Sequence, residues 1–412
     1  MAVLDPPEKS RPSRLPANGG VTRPGRGKLR FRAVEDAGRR VSPLELFFDL
    51  VFVVAVAQLV DVLLHSPNWE GALRYAGLFV PVWWIWVSYT FYADRFDNDD
   101  RAHRLIMLGA MLSVLSLAVF IPRALTSQAG ASALAVCYAA SRTLLGVLYL
   151  RAHWHIPRAR PLTRRYSQGF LTGAGLWGIS AVVPRPWMYV LWAVGLAIEM
   201  LTPFFSGRLI ARVPFDGDHI PERFGLFTII VLGEVVALNA IGLSTSDMDP
   251  EAVATVVGTF LLAAGQWWLV FDHVDTSALR RWRLSGRGYV YGHLLVTGSI
   301  GVTGVGGLLA AEAALGETHG TTWGVVLSSG VSLFLLAIGT IHWLGTCPHG
   351  DLRCWSRLGM GASCAVLAWL HPEMHPLLLE ALLVVALVGQ TLIESRESRK
   401  HHAHEPDPTP SQ

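Results

Sequence analysis

Apolar residues in this chain neither alternate nor stripe one face. They run. From Pro43 onward, stretches of about twenty mostly apolar residues recur, separated by short segments holding Arg, Asp, Pro and His. At about 1.5 Å of rise per residue, each such run matches a hydrocarbon core about 30 Å thick. The pattern predicts twelve helices, near 44–65, 72–93, 105–122, 131–150, 167–183, 187–206, 223–243, 251–271, 289–311, 322–344, 357–371 and 376–394. The expected fold class is all-α, a polytopic transmembrane helical bundle.

Charge placement tests this scheme. With the N-terminus inside and twelve spans, 30 of the 34 Lys and Arg residues fall on the cytoplasmic side. Arg74, Arg123 and Arg185 fall outside, and Arg142 falls within a span. This is the positive-inside distribution, and it predicts an inner-membrane protein with both termini cytoplasmic. Composition agrees: 51% of residues are hydrophobic, 16% are charged, and mean hydropathy is +0.39. Soluble domains carry roughly 25% charged residues, so a soluble globular protein is excluded.

The expected layout is a basic cytoplasmic tail (1–43), a six-helix half (44–207), a connector (208–222), a second six-helix half (223–394) and a cytoplasmic tail (395–412). Residues 1–40 lack the apolar core of a signal peptide. A repeat supports the two halves. Glu45-Leu-Phe47 returns as Glu222-Arg-Phe224, and Asp94-Arg-Phe-Asp97 as Asp272-His-Val-Asp275, each after a Trp-Trp pair for the second motif. Six spans per half is even, so the repeats would be parallel.

Polar groups inside the runs mark candidate chemistry. Glu234 sits about ten residues into the seventh run, Glu199 lies in the sixth, Asp49 in the first and Arg142 in the fourth. A charged, unpaired group at that depth costs several kcal/mol. One guanidinium cannot neutralise three acids, so Asp49, Arg142, Glu199 and Glu234 are expected to form an ion and substrate pathway. Glu45 and Asp49 share a helix face and favour the N-terminal dipole. Asp94, Asp97, Asp272 and Asp275, interleaved with basic residues, are expected to act as a cytoplasmic ion-pair latch. No metal site or cofactor is expected; Cys347-Pro-His349 and Cys354 have no standard zinc spacing. Gly298, Gly301, Gly304 and Gly307 predict close helix packing, as do Gly169 and Gly173.

Ser42-Pro-Leu-Glu-Leu-Phe-Phe-Asp-Leu-Val-Phe-Val53 closely resembles the N-terminal signature of the low temperature requirement A (LtrA) family of bacterial membrane proteins. Tyr92-Ala-Asp-Arg-Phe-Asp-Asn-Asp-Asp100, the stretch from His219 to Glu234, Trp267-Trp-Leu-Val-Phe-Asp-His273 and Tyr291-Gly-His-Leu-Leu295 fit as well. The resemblance implies a multi-span membrane protein linked to growth in the cold, with no established reaction. Phe48-Asp49 also resembles the first-helix pattern of a potassium-channel family built from six-helix repeats. That pattern's Arg and Ser fall at Leu44 and Phe48 here, and Leu226 stands opposite Asp49.

The expected function is a proton- or cation-coupled secondary transporter of a small solute. The alternatives are a cation channel lined by helices one and seven, a magnesium-dependent membrane enzyme using the Asp-rich face, and a membrane scaffold. The lipid bilayer, a small solute and a proton or monovalent cation are the expected partners. Homo-oligomers fit this reading, and nucleic acid does not.

Overall fold

The computed structural model describes residues 30–31, 42–97, 100–213, 219–244, 249–273, 284–316, 321–345, 351–370 and 374–403. Residues 1–29, 32–41 and 404–412 of the two tails, the connector residues 214–218, Asp275, Cys347 and His349 lie outside the described residues.

Among the described residues, thirteen α-helices follow one another: α1 (Pro43–Leu64), α2 (Trp69–Arg95), α3 (Arg101–Ala124), α4 (Gln128–His155), α5 (Arg160–Ser180), α6 (Trp187–Phe204), the single turn α7 (Gly207–Ile210), α8 (His219–Ser244), α9 (Pro250–His273), α10 (Leu284–Ala314), α11 (Thr322–Gly345), α12 (Leu352–Leu370) and α13 (Pro376–Ala403). A short antiparallel ladder joins β1 (Arg30–Phe31) to β2 (Phe96–Asp97). Each expected run is occupied by one long helix. Among the described residues, nine helices are long and apolar enough to cross a membrane. The other three long helices, α2, α5 and α12, carry charge or Trp and Tyr in their apolar stretches.

Local sequence explains the helix starts. Ser42 caps α1 through a capping box: its amide donates to Glu45 Oε2 at 2.8 Å, and the Glu45 amide donates to Ser42 Oγ at 3.3 Å. Pro43 takes the first turn, where no amide donor is needed. Asn68, Asp100 and Ser127 cap α2, α3 and α4, each side chain accepting from the amide three residues on.

The helices pack in a recurring order. α1 contacts α2 and α3, and α3 through α6 pack in succession; α8 contacts α9 and α10, and α10 through α13 pack in succession. The two series meet where α1 and α2 touch α8 and α10. α2 is buried almost continuously from Val82 to Arg95, so it runs through the interior. Leu105, Leu108, Leu112, Leu115 and Val119 form an exposed row on α3, as do Leu378, Leu382, Val385, Val388 and Leu392 on α13. Rows of this length are insoluble in water and suit lipid.

The glycines of α10 fit the close packing expected of them. A Cβ on Gly301 would meet the Tyr75 hydroxyl at 2.6 Å, and one on Gly304 would meet Val235 at 2.6 Å. Gly307 lies against Thr259, and Gly169 and Gly173 lie against Thr202 and Glu199.

Candidate functional site

The seam between the two helix series is built around Asp49. One turn beyond Glu45 on α1, it is 3% exposed. Its Oδ1 accepts from Arg223 Nη2 at 2.7 Å and from Trp86 Nε1 at 2.8 Å. Glu45 Oε2 lies 3.7 Å from Arg223 Nη1. One α8 guanidinium therefore faces two α1 carboxylates. Rings seal the surroundings. Trp86 stacks on Phe227 with centroids 4.5 Å apart, and Phe52 meets Phe227 edge-on. Below them, His293 of α10 bonds with Thr228 Oγ1 at 3.0 Å and lies 3.2 Å from the Phe224 carbonyl.

A second pair lies within the first series. Arg142 Nε is 2.9 Å from Glu199 Oε2, with both side chains fully buried. The Tyr138 hydroxyl donates to the same oxygen at 2.9 Å. The Arg142 guanidinium also lies over the Tyr138 ring, 4.9 Å from its centroid. Tyr138, Trp177 and Trp192 stack in sequence at 3.9 and 4.7 Å, tying α4, α5 and α6 together. Gly173 has no side chain because the Glu199 carboxylate occupies that space.

These pairs correct the charge argument made from sequence. Arg142 is not a lone guanidinium: Arg95, Arg142, Arg223 and Arg357 are all among the largest fully buried side chains. Asp49 and Glu199 each have their own arginine. Glu234 joins neither. It is only partly buried, between exposed Gly233 and Val236 on the outer face of α8. Of the four expected pathway residues, Arg142 and Glu199 therefore pair with each other, Asp49 pairs with Arg223, and Glu234 is a peripheral acid.

Sequence reasoning also missed two buried acids. Glu394 on α13 accepts from Arg357 Nε at 2.8 Å and from Nη2 at 2.6 Å, a two-point pairing supported by Gln390 at 2.8 Å. Arg357 had been placed in a cytoplasmic segment, where its position at a run boundary put it. Glu380, 1% exposed, accepts a hydrogen bond from Thr259 at 2.9 Å.

At the faces, Asp94 is buried at the end of α2, the Asp97 backbone pairs in the ladder, and Asp272 is exposed at the end of α9. An ion pair at this face uses Asp100, which caps α3 through the His103 amide at 2.8 Å and grips Arg151, joining α3 to α4. Hydrogen bonds from Arg151 hold the Asp100 carboxyl below the usual range. Burial works to raise Asp351, yet side-chain and backbone hydrogen bonds from Arg353 hold it low as well. Among the described residues, no three His, Cys, Asp or Glu side chains converge as metal ligands would.

Beside the Arg142–Glu199 pair, which shares Phe170 with it, lies a narrow pocket with an accessible volume of about 20 Å³, part of it open to the outside. α2 contributes Trp84, Phe91 and Arg95, α5 Tyr166 and Phe170, and α10 Tyr291. Trp84 and Tyr291 stack nearly parallel, at 15°. The Arg95 guanidinium lies 5.3 Å from the Phe91 centroid and 5.7 Å from that of Tyr166. Phe170 is shared, since Arg142 lies 5.7 Å from its ring on the other side.

Residues 40–392 match the family described as bacterial low temperature requirement A protein (LtrA). The chain belongs to that family. It is also 30% identical over 281 residues to an uncharacterized protein of Rhizobium meliloti, spanning 64% of this chain and 67% of that protein. The family match runs from just before the α1 cap into the last turns of α13, so it takes in the seam, both pairs and the pocket.

Proposed function

We propose that this LtrA-family protein is a secondary transporter whose solute occupies the pocket between the two helix series. The carrying observation is a ring-walled pocket lined by a buried guanidinium, with walls drawn from α2, α5 and α6 on one side and α10 on the other. In this structure the pocket has room for little more than a water molecule, so a solute enters it as one bundle rocks on the other, the motion of alternating access. Rings stack on a flat apolar body, and the positive charge of Arg95 at the pocket wall attracts an anionic group while Arg95 keeps its own contacts. The matching solute class is a small aromatic or planar molecule with an anionic group, moved with a proton or monovalent cation.

The seam favours a carrier over an open pore. Where α1 meets α8, a channel would need a water-filled path. Instead Phe52, Trp86, Phe224 and Phe227 interlock there, and Asp49 and Arg223 close on each other.

We read the recurring packing order as two parallel six-helix repeats in the inner membrane, with both termini cytoplasmic. The Lys and Arg distribution supports this reading.

The test is uptake by purified protein in proteoliposomes, using labelled phenylacetate and a panel of aromatic and aliphatic carboxylic acids, with and without an imposed proton gradient. Gradient-dependent accumulation of a member is expected. Trp84→Ala and Tyr291→Ala should raise its half-saturating concentration, and Arg95→Met should cut uptake. No accumulation of any member, or uptake indifferent to all three substitutions, overturns the reading.

A further inference from the structure

Glu380 stands apart from the other buried acids. Asp49, Glu199 and Glu394 each face a guanidinium, whereas the hydrogen bond recorded for Glu380 comes from the Thr259 hydroxyl. Its Oε2 is buried without a hydrogen-bond partner. The carboxyl is pressed against the α9 backbone at Gly258, where a Cβ would collide with Oε2. Thr259 is held from behind by Gly307 of α10, where a Cβ would collide with the Thr259 hydroxyl. Two glycines on two helices thus leave room for one carboxyl and one hydroxyl.

A polar file leads to this place. Glu251, Thr255 and Thr259 follow at four-residue spacing on α9, so they share a face, and Gln266 continues it. Glu251 and His375 form a pair at 3.4 Å at the surface, each about half exposed. Inside, Thr255 and Thr259 are 0% and 1% exposed, and Gln266 donates to Thr303 of α10 at 3.0 Å. From Glu251 to Thr259 is about 12 Å along the helix. Hydroxyls on one face of a helix beside a buried carboxyl, with an acid and an imidazole at the mouth, are the parts of a proton entry path.

We propose that Glu380 is a proton-binding site in the membrane, loaded from the Glu251–His375 face along the hydroxyl file of α9. The proton comes from water at the mouth and ends on Oε2, leaving a neutral carboxyl that keeps the Thr259 hydrogen bond on Oε1. Among the described residues no cation is paired with Glu380, and an unpaired carboxyl in apolar surroundings is far less costly neutral than ionised. The surrounding titratable groups do not supply that cation. Glu251 on α9 pairs with His375, while on α10 His293 bonds Thr228 and Glu312 is an acid. On α11 His342 pairs with Asp351, and on α12 Cys364 is neutral and Arg357 is committed to Glu394 of α13 itself. Glu394 lies about 21 Å along α13 from Glu380. Three metal ligands do not meet here among the described residues, so the cargo is a proton rather than a divalent ion. This site stands whether or not the pocket holds the solute class proposed above.

The experiment is carbodiimide labelling of the full chain in lipid. Dicyclohexylcarbodiimide enters apolar regions and reacts with protonated carboxyls, and peptide mass mapping locates the adduct. The Glu380 peptide should carry it, with a yield that falls as pH rises, while peptides containing Asp49, Glu199 and Glu394 stay unmodified. A second measurement needs no reagent. The infrared carbonyl band of the buried acid should shift when water is replaced by heavy water, and Thr255→Val should slow that shift several-fold. Glu380→Gln should abolish the band. An unlabelled Glu380, a yield independent of pH, or exchange unchanged in Thr255→Val overturns the proposal.

Discussion

At the residue scale, the buried ion pairs carry the clearest consequences. Removing one partner of such a pair strands the other charge, at a cost of about 3–5 kcal/mol. Arg223→Met should therefore lower the thermal midpoint of the lipid-embedded protein sharply, because Asp49 keeps only Trp86 as a donor. Replacing Asp49 and Arg223 together with Leu should regain most of the loss. Tryptophan fluorescence during heating measures both, and a double variant as unstable as the single one would mean that the pair is not a unit. Gly173→Ala pushes a methyl group into the Glu199 carboxylate, with a cost of about 1–3 kcal/mol for overpacking. Sequence revealed Asp49, Glu199 and Arg142 as groups inside apolar runs. It did not reveal Arg223 or Arg357 as buried, because an arginine within a turn of a helix end reads the same whether it faces water or a carboxylate. It also singled out Glu234 and passed over Glu380. Both are single acids in apolar runs, and only the neighbours of α8 and α13 decide which one is buried.

At the element scale, capping and ion pairing converge on the start of α3. Asp100 satisfies an orphan amide and grips Arg151, so its two roles can be separated by substitution. Asp100→Ala removes both and should cost about 1 kcal/mol through the cap alone. Asp100→Asn keeps the cap and loses the charge, so it should cost less. The pH dependence follows from the lowered folded-state pKa. The Asp100 contribution is complete above the unfolded value, about 3.9. It is lost as pH falls through the lower folded value, so acid should loosen α3 at its first turn. Hydrogen exchange of the His103 amide at decreasing pH reads this directly, with protection falling in the native chain and already low in Asp100→Ala. The placement of the long helices was legible, because run length is a strong constraint, and among the described residues nine of them are long and apolar enough to cross a membrane. What the runs do not reveal is which helix is central. α2 has charges at both ends and aromatic residues between, a poor span by hydropathy, yet it is the most enclosed helix of the first series because Trp and Tyr fill the seam.

At the scale of the whole molecule, the question is whether the two helix series are folding units or parts of one. Each series has its own successive packing, and each has a fully buried Arg–Glu pair of its own, Arg142–Glu199 in the first and Arg357–Glu394 in the second. A unit that satisfies its own buried charges can exist in lipid before meeting its partner. The seam then adds what neither half can complete alone. Asp49 without α8 is an unpaired buried acid, and Arg223 without α1 is an unpaired buried cation. Association is thus specified by charge as well as by ring packing. Expressed as two separate chains, 1–213 and 219–412, the halves should insert independently and copurify through the seam. Asp49→Leu in one half alone should weaken copurification, and Arg223→Leu in the other should partly restore it, since the stranded charge is removed. Asp49→Leu should leave either half stable by itself, because the pairs within each half are untouched. If instead the separate halves are degraded unless coexpressed, the internal pairs do not make independent units, and the chain folds as a single bundle.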